Sequence, residues 1–141
     1  MRTYAYPATF EPADDDTTVL VTFADFPEAI TEGDGTVEAY TNAADALGIV
    51  MLEYLRRGRT LPVPSTGEPL IAPEPDIAAK IALLEAFAAS GITQSELARR
   101  LGWDEKAVRR ALDPWHATKL PRLSAALHAL GHRLVVSVEA A

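Results

Sequence analysis

Five cationic side chains fall between Gly91 and Pro114, in GITQSELARRLGWDEKAVRRALDP: Arg99, Arg100, Lys106, Arg109 and Arg110. Guanidinium and ammonium groups at this density neutralise phosphate and hydrogen-bond the edge of guanine, so the chemistry on offer is recognition of a nucleic acid. The chain as a whole opposes it, with a formal net charge of −7 over 141 residues. The opposition is regional. Residues 1–75 carry thirteen Asp and Glu against four Arg, a net −9, whereas residues 76–141 carry nine Lys and Arg against seven Asp and Glu, a net +2. Such asymmetry points to two parts with different partners.

Catalytic chemistry finds no comparable support. The absence of cysteine excludes a disulfide, a thiolate zinc site and a cysteine nucleophile. Asp14, Asp15 and Asp16 share one turn, and consecutive carboxylates there do not converge on a metal ion as a nuclease requires. His128 and His132 are four apart, but Gly131 ends the helix between them and no third ligand is evident. No serine has a base at a recognisable spacing. A non-enzyme without metal or cofactor is expected.

The basic stretch meets the demands of a helix-turn-helix. Ala98 is small where the first helix must pack closely on the second. Gly102 supplies positive φ at the turn. Val108 faces inward one turn into the second helix, with Leu97, Leu101 and Leu112 completing the core. Thr93 and Glu96 form a capping box at the start of the first helix, Asp104 caps the second, and Pro114 stops it. The outward positions of the second helix are then Glu105, Lys106, Arg109 and Arg110, the ones that enter a major groove. Thr93, Gln94, Arg99, Thr118, Lys119 and Arg122 are placed to touch phosphate. Asp104 and Glu105 oppose phosphate, and Trp103 and Trp115 are expected in the core. A net +2 is modest, so a dimer reading two half-sites is expected.

The positioning elements follow from punctuation and periodicity. Five of the ten prolines fall in LPVPSTGEPLIAPEP (61–75), which places the joint at about residues 74–77. Before it, YAYPATFEP (4–12) sets Tyr4, Tyr6, Ala8 and Phe10 on one face, ADDD (13–16) turns, and TTVLVTFADF (17–26) returns as a second strand. A third strand runs through EAITEG (28–33), broken by Gly33 and Gly35. A helix from the N-cap Thr36 to Gly58 carries the stripe Val37, Tyr40, Ala44, Leu47, Met51 and Tyr54 onto the sheet. LIAPE (70–74) can add a short edge strand. The order β-β-β-α-β makes residues 1–75 an α+β layer domain. Residues 76–141 read as an all-α helix-turn-helix domain, with helices over 77–91 and 121–131 around the basic pair and a C-terminal strand over 132–139. That strand is suited equally to pairing with its copy or to folding back on its own domain.

YPATFEP, then VLVTFADFPEAITEGDGTVEAYTNAADAL (19–47) and EYLRRGRTLPVPS (53–65), resemble the N-terminal domain of HicB-type antitoxins, most tellingly between Phe23 and Asp34. GITQSELARRLG and the closing ALGHRLVVSV resemble the helix-turn-helix domain of one HicB subgroup, so the likeness covers nearly the whole chain. Glu28 and Ile30 depart from residues frequent there, and Gly35 resembles an added loop residue. The resemblance implies a truncated ribonuclease-H-like N-terminal domain without catalytic carboxylates. It implies a small, basic, mRNA-cleaving toxin of the HicA type as partner, and repression of the operon through double-stranded operator DNA. It further implies a homodimer or homotetramer. The net −9 of residues 1–75 complements an RNA-holding partner independently of that likeness. Asp25, Phe26, Glu28, Glu32 and Asp34 are the candidate toxin contacts. The rival reading is a stand-alone helix-turn-helix repressor whose acidic half binds a small ligand or dimerises. Apolar runs such as ALGIVML (46–52) are far too short to span a bilayer, and no charged segment leads into an apolar stretch, so a soluble cytoplasmic protein is expected.

Overall fold

A computed structural model describes residues 1–140. The chain forms two compact units, Met1–Glu74 and the residues from Pro75 onward.

In the first unit, β1 (Tyr6–Pro7), β2 (Thr9–Pro12), β3 (Thr18–Thr22) and β4 (Ile30–Asp34) precede α1 (Thr36–Arg56) and β5 (Leu70–Ile71). The strand expected over residues 4–12 is divided at Ala8, whose amide donates to the Pro69 carbonyl. Its first part pairs with β5, Tyr6 opposite Ile71, and its second part joins the antiparallel sheet β2-β3-β4, Phe10 opposite Val21. The ADDD turn works through one residue. The Asp15 carboxylate accepts from the amides of Thr17 and Thr18 and from the Thr18 hydroxyl, and these bonds hold its pKa below the ordinary value.

Gly33 lies inside β4 rather than ending it. A Cβ there would press on the backbone of Glu38 and Ala39, 2.6 Å from the Ala39 Cα, so the glycine lets helix and strand meet. Gly35, at φ 84°, is the N-cap of α1, and Thr36 is already helical. The buried face of α1 departs from the expected stripe at its start: Ala39, Ala43, Leu47, Gly48, Met51, Leu52 and Tyr54 are buried, while Val37 and Tyr40 are exposed. Tyr40 instead stacks on Phe10 with centroids 4.5 Å apart. Leu47, Met51 and Tyr54 of the expected stripe are buried and Ala44 is half-buried; only in the first turns do Ala39 and Ala43 take the buried places instead of Val37 and Tyr40. Tyr6, Phe26 and Tyr54 meet edge to face beneath it, at 4.7 and 5.1 Å.

The second unit holds α2 (Pro75–Ser90), α3 (Gln94–Leu101), α4 (Glu105–Leu112) and α5 (Leu120–Ala129). Ala79, Leu83, Ala111, Leu123, Ala126 and Leu127 form one buried cluster, and Leu97, Ala98 and Val108 a second. Leu101, Trp103, Leu112 and Leu130 pack against both. Each fully buried leucine contributes about 1.5–3 kcal/mol of transfer free energy. Two expectations are corrected here. Trp115 is exposed, on the loop after α4, and not in the core. Residues 132–140 do not fold back as a strand on their own unit: a strand needs a ladder partner, and within the single chain none pairs with this segment among the described residues. Leu134 packs on the first cluster, while Val135, Val136 and Val138 are exposed.

Candidate functional site

The basic helix pair is built from its ends. Thr93 caps α3, its hydroxyl accepting from the Glu96 amide at 3.1 Å. The Glu96 carboxylate does not complete the box by reaching back. It turns to Arg99, which donates to it at 2.8 and 2.6 Å, and to Arg100 at 3.1 Å. Those hydrogen bonds hold Glu96 at a pKa of about 2. Gly102, at φ 67°, ends α3 in left-handed geometry, its amide donating to Ala98 and Arg99 carbonyls. Asp104 caps α4 by accepting from the Ala107 amide at 2.7 Å. The Ser95 hydroxyl donates to Glu105 at 3.1 Å, tying the two helix starts together.

Lys106, Arg109 and Arg110 stand exposed on α4, and among the described residues no hydrogen bond or ion pair engages their side chains. Val108 and Ala111 are buried on the opposite face. The caps and the buried face together leave three uncommitted cations outward on one short helix. Gln94 and Lys119 are exposed at the starts of α3 and α5. Arg122 lies over the Trp103 ring at 4.7 Å, a cation–π contact that fixes its stem. Arg99 is exposed but bound to Glu96.

Thr118 is the exception among the ten residues placed at this surface. It is buried, and its hydroxyl accepts from the Lys80 ammonium at 2.8 Å and meets His116 Nδ1 at 2.8 Å, so it supports the site from within rather than facing phosphate. Lys80, which sequence reasoning passed over, is 3% exposed. Its ammonium also donates to the carbonyls of Ala111 at 2.8 Å, Asp113 at 2.9 Å and Arg110 at 3.2 Å. Burial pushes its pKa down to about 8, against the opposing charge of Asp113. The signal available was one lysine within the apolar run IAAKIALL.

The first unit presents a different arrangement. Phe26 is fully buried between the Tyr6 and Tyr54 rings, so it is a core residue and is not available to a partner. Asp25 accepts from the Ser65 amide at 3.0 Å and from its hydroxyl. Glu28 accepts from the Tyr54 hydroxyl at 3.0 and 2.9 Å and pairs with Arg59 at 3.7 Å, while the Arg59 guanidinium covers the Tyr54 ring at 3.9 Å. Its own amide, Tyr54 and Arg59 keep Glu28 below the ordinary carboxylate range, and burial followed by Glu28 raises Tyr54. Asp25 and Glu28 therefore tie loop 23–29 to residues 54–65. Glu32 and Asp34 lie exposed on β4, whose outer edge is met by the Asn42 side chain donating to the Glu32 carbonyl at 2.8 Å. Among the described residues no group of three or more His, Asp and Glu could hold a metal ion. No helix among them is long and apolar enough to cross a membrane.

Residues 5–72 match the family described as the HicB-like antitoxin of bacterial toxin–antitoxin systems. Over the full length the chain is similar to curated antitoxins. It is 35% identical to Antitoxin HicB 1 of Photorhabdus laumondii, over 99% of this chain and 90% of that one. It is 38% identical to Antitoxin HicB of Escherichia coli K12, over 92% and 95%. It is 34% identical to Antitoxin HicB of Pseudomonas fluorescens, over 100% and 97%.

Proposed function

This chain belongs to the HicB-like antitoxin family, a non-catalytic antitoxin whose partner is a toxin of the same system, and from that premise we propose a division of labour between its two units. Residues 1–75 bind and neutralise a small basic mRNA-cleaving toxin of the HicA type through a truncated ribonuclease-H-like fold without catalytic carboxylates. Residues 76–141 bind the operon's own promoter, with α3 and α4 as a helix-turn-helix and α4 in the major groove. The protein works as a cytoplasmic homodimer or homotetramer, two copies offsetting the modest charge of one DNA-binding unit.

The observation that carries the DNA reading is the trio Lys106, Arg109 and Arg110, exposed on a helix capped at its start and free of intramolecular partners among the described residues. Arginines committed to a solvated, self-neutralised face look like Arg99 and Arg100 on Glu96; this trio does not. The acidity of the first 75 residues supports the toxin reading, since a surface with net −9 attracts a protein built to hold RNA.

The test is to induce the small open reading frame adjoining the gene, alone and with this protein, while following growth and mRNA length. A labelled promoter duplex is titrated with the full chain in parallel. Arrest with mRNA decay, relieved by this chain, is expected together with promoter binding. Rescue without promoter binding would remove the repressor role. Promoter binding without any rescuable toxicity would favour the stand-alone repressor.

A further inference from the structure

The α4 helix is only eight residues long, and Val108 and Ala111 are its only fully buried side chains. Leu112 adds packing on both clusters, and on so short a helix the polar ties contribute to its direction beside that packing. At its start they are Asp104 and the Ser95–Glu105 bond. At its end the amides of Asp113 and His116 make local bonds, and one atom from another helix joins them. The Lys80 ammonium, carried by α2, points its three N–H groups at the Ala111 and Asp113 carbonyls and the Thr118 hydroxyl, with the Arg110 carbonyl sharing one of them at 3.2 Å.

Three of these oxygens are backbone carbonyls at the helix end, where the negative end of the dipole lies. The Arg110 and Asp113 carbonyls also accept from the amides of Asp113 and His116, whereas Lys80 is the donor to Ala111. A cation there binds the three together and joins the last turn to α2 and to the entry of α5. The Thr118 hydroxyl also lies 3.3 Å from the Arg110 carbonyl, closing the network on the residue whose side chain points outward. We propose that Lys80 is a positioning residue for DNA recognition, its ammonium setting the angle at which α4 presents Lys106, Arg109 and Arg110 to the duplex. The inference rests on the reading of α4 as the groove-binding helix.

A neutral side chain at position 80 would leave the buried Ala111 carbonyl without its donor and take one donor each from the Arg110 and Asp113 carbonyls, so the helix end would shift to compensate. Sequence discrimination, which depends on geometry at the base edges, suffers first. Attraction to phosphate, which depends on charge count, suffers least.

The chain has no cysteine, so Lys80→Cys introduces a unique thiol. Alkylated in denaturant with 2-bromoethylamine and refolded, it regains an ammonium on a side chain of lysine's length. Alkylated with 1-iodopropane, it has the same length and no charge. Affinities of the full chain are measured for its promoter duplex and for a scrambled duplex of equal length and composition. Partial unfolding lowers both equally and leaves their ratio unchanged.

The aminoethyl form is expected to keep the native ratio and the propyl form to lose about tenfold of it, the discrimination of about one base contact. Both forms should still neutralise the toxin. Thr118→Val, which removes one acceptor and keeps the cation, should lose about threefold. Equal ratios in the two alkylated forms, whether both native or both reduced, overturn the role of the ammonium. A native chain without preference for its promoter overturns the reading of α4 itself, before any variant is made.

Discussion

The two units commit their charges in opposite ways. In the first, Asp25 and Glu28 are held by Ser65, Tyr54 and Arg59, and only Glu32 and Asp34 of the candidate acids lie free of such ties on β4. In the second, the cations of α4 are left unpaired, while the polar groups that steady the helix lie at its ends or beneath it. A charged residue's type says what it can bind; its existing partners say whether it is available. Loop 23–29 spends its charge on its own shape, and α4 saves its charge for something else.

The comparison breaks most sharply at Gly33. Gly33→Ala sets a methyl group against the backbone of Glu38 and Ala39, with no flexible side chain to yield. A loss of about 3 kcal/mol or more from the first unit is expected. Toxin neutralisation should disappear while promoter binding persists. Loss of both, in a chain whose helical signal from the second unit is intact, would refute the separation of roles.

Ala98→Leu acts on the other side. Ala98 is 6% exposed where α3 meets Val108, and added methylenes overpack that contact. Destabilisation of the second unit by about 1–3 kcal/mol is expected, with toxin binding retained. An unchanged melting curve would mean that α3 and α4 are not packed in this register. Arg110→Ala removes no core contact, so the fold should stay as it is. About 1–3 kcal/mol of preference for promoter over scrambled DNA should be lost. Equal loss on both duplexes would demote Arg110 to a phosphate contact.

How much of this was legible in sequence depended on whether the determining partner was local. Thr93, Gly102 and Asp104 act on residues three or four positions away, so the caps and the turn of the helix pair could be read directly. Long-range partners could not. The break at Ala8 depends on Pro69, the exposure of Val37 and Tyr40 in the first turns of α1 on the close approach of β4 at Gly33, and the burial of Thr118 on Lys80. Phe26 sits in a polar loop yet fills the space between two tyrosines, which no pattern along the chain reveals. Residues 132–140 have strand composition without a strand, because composition supplies the propensity and only a neighbour supplies the ladder.

The smallest effect concerns two matched clasps, one per unit. Glu53 is held by Arg56 and Arg57, and Glu96 by Arg99 and Arg100, each at a pKa of about 2 against an ordinary 4.5. Because the folded value is depressed, each clasp stabilises fully above about pH 4.5 and is lost as pH falls through about 2. Both are exposed, so the gain is slight and salt-sensitive. Their consequences differ. The Glu53 clasp restrains two arginines of an acidic unit, whereas the Glu96 clasp withholds Arg99 from the phosphate it was placed to touch. Glu96→Gln should therefore free Arg99 and steepen the salt dependence of DNA binding by about one phosphate contact, without altering sequence preference. Glu53→Gln should leave DNA binding unchanged. Carboxyl titration by NMR decides whether the clasps exist in solution. A midpoint for Glu96 in the ordinary range would release Arg99 from its partner and return it to the proposed phosphate-binding surface beside Lys106, Arg109 and Arg110.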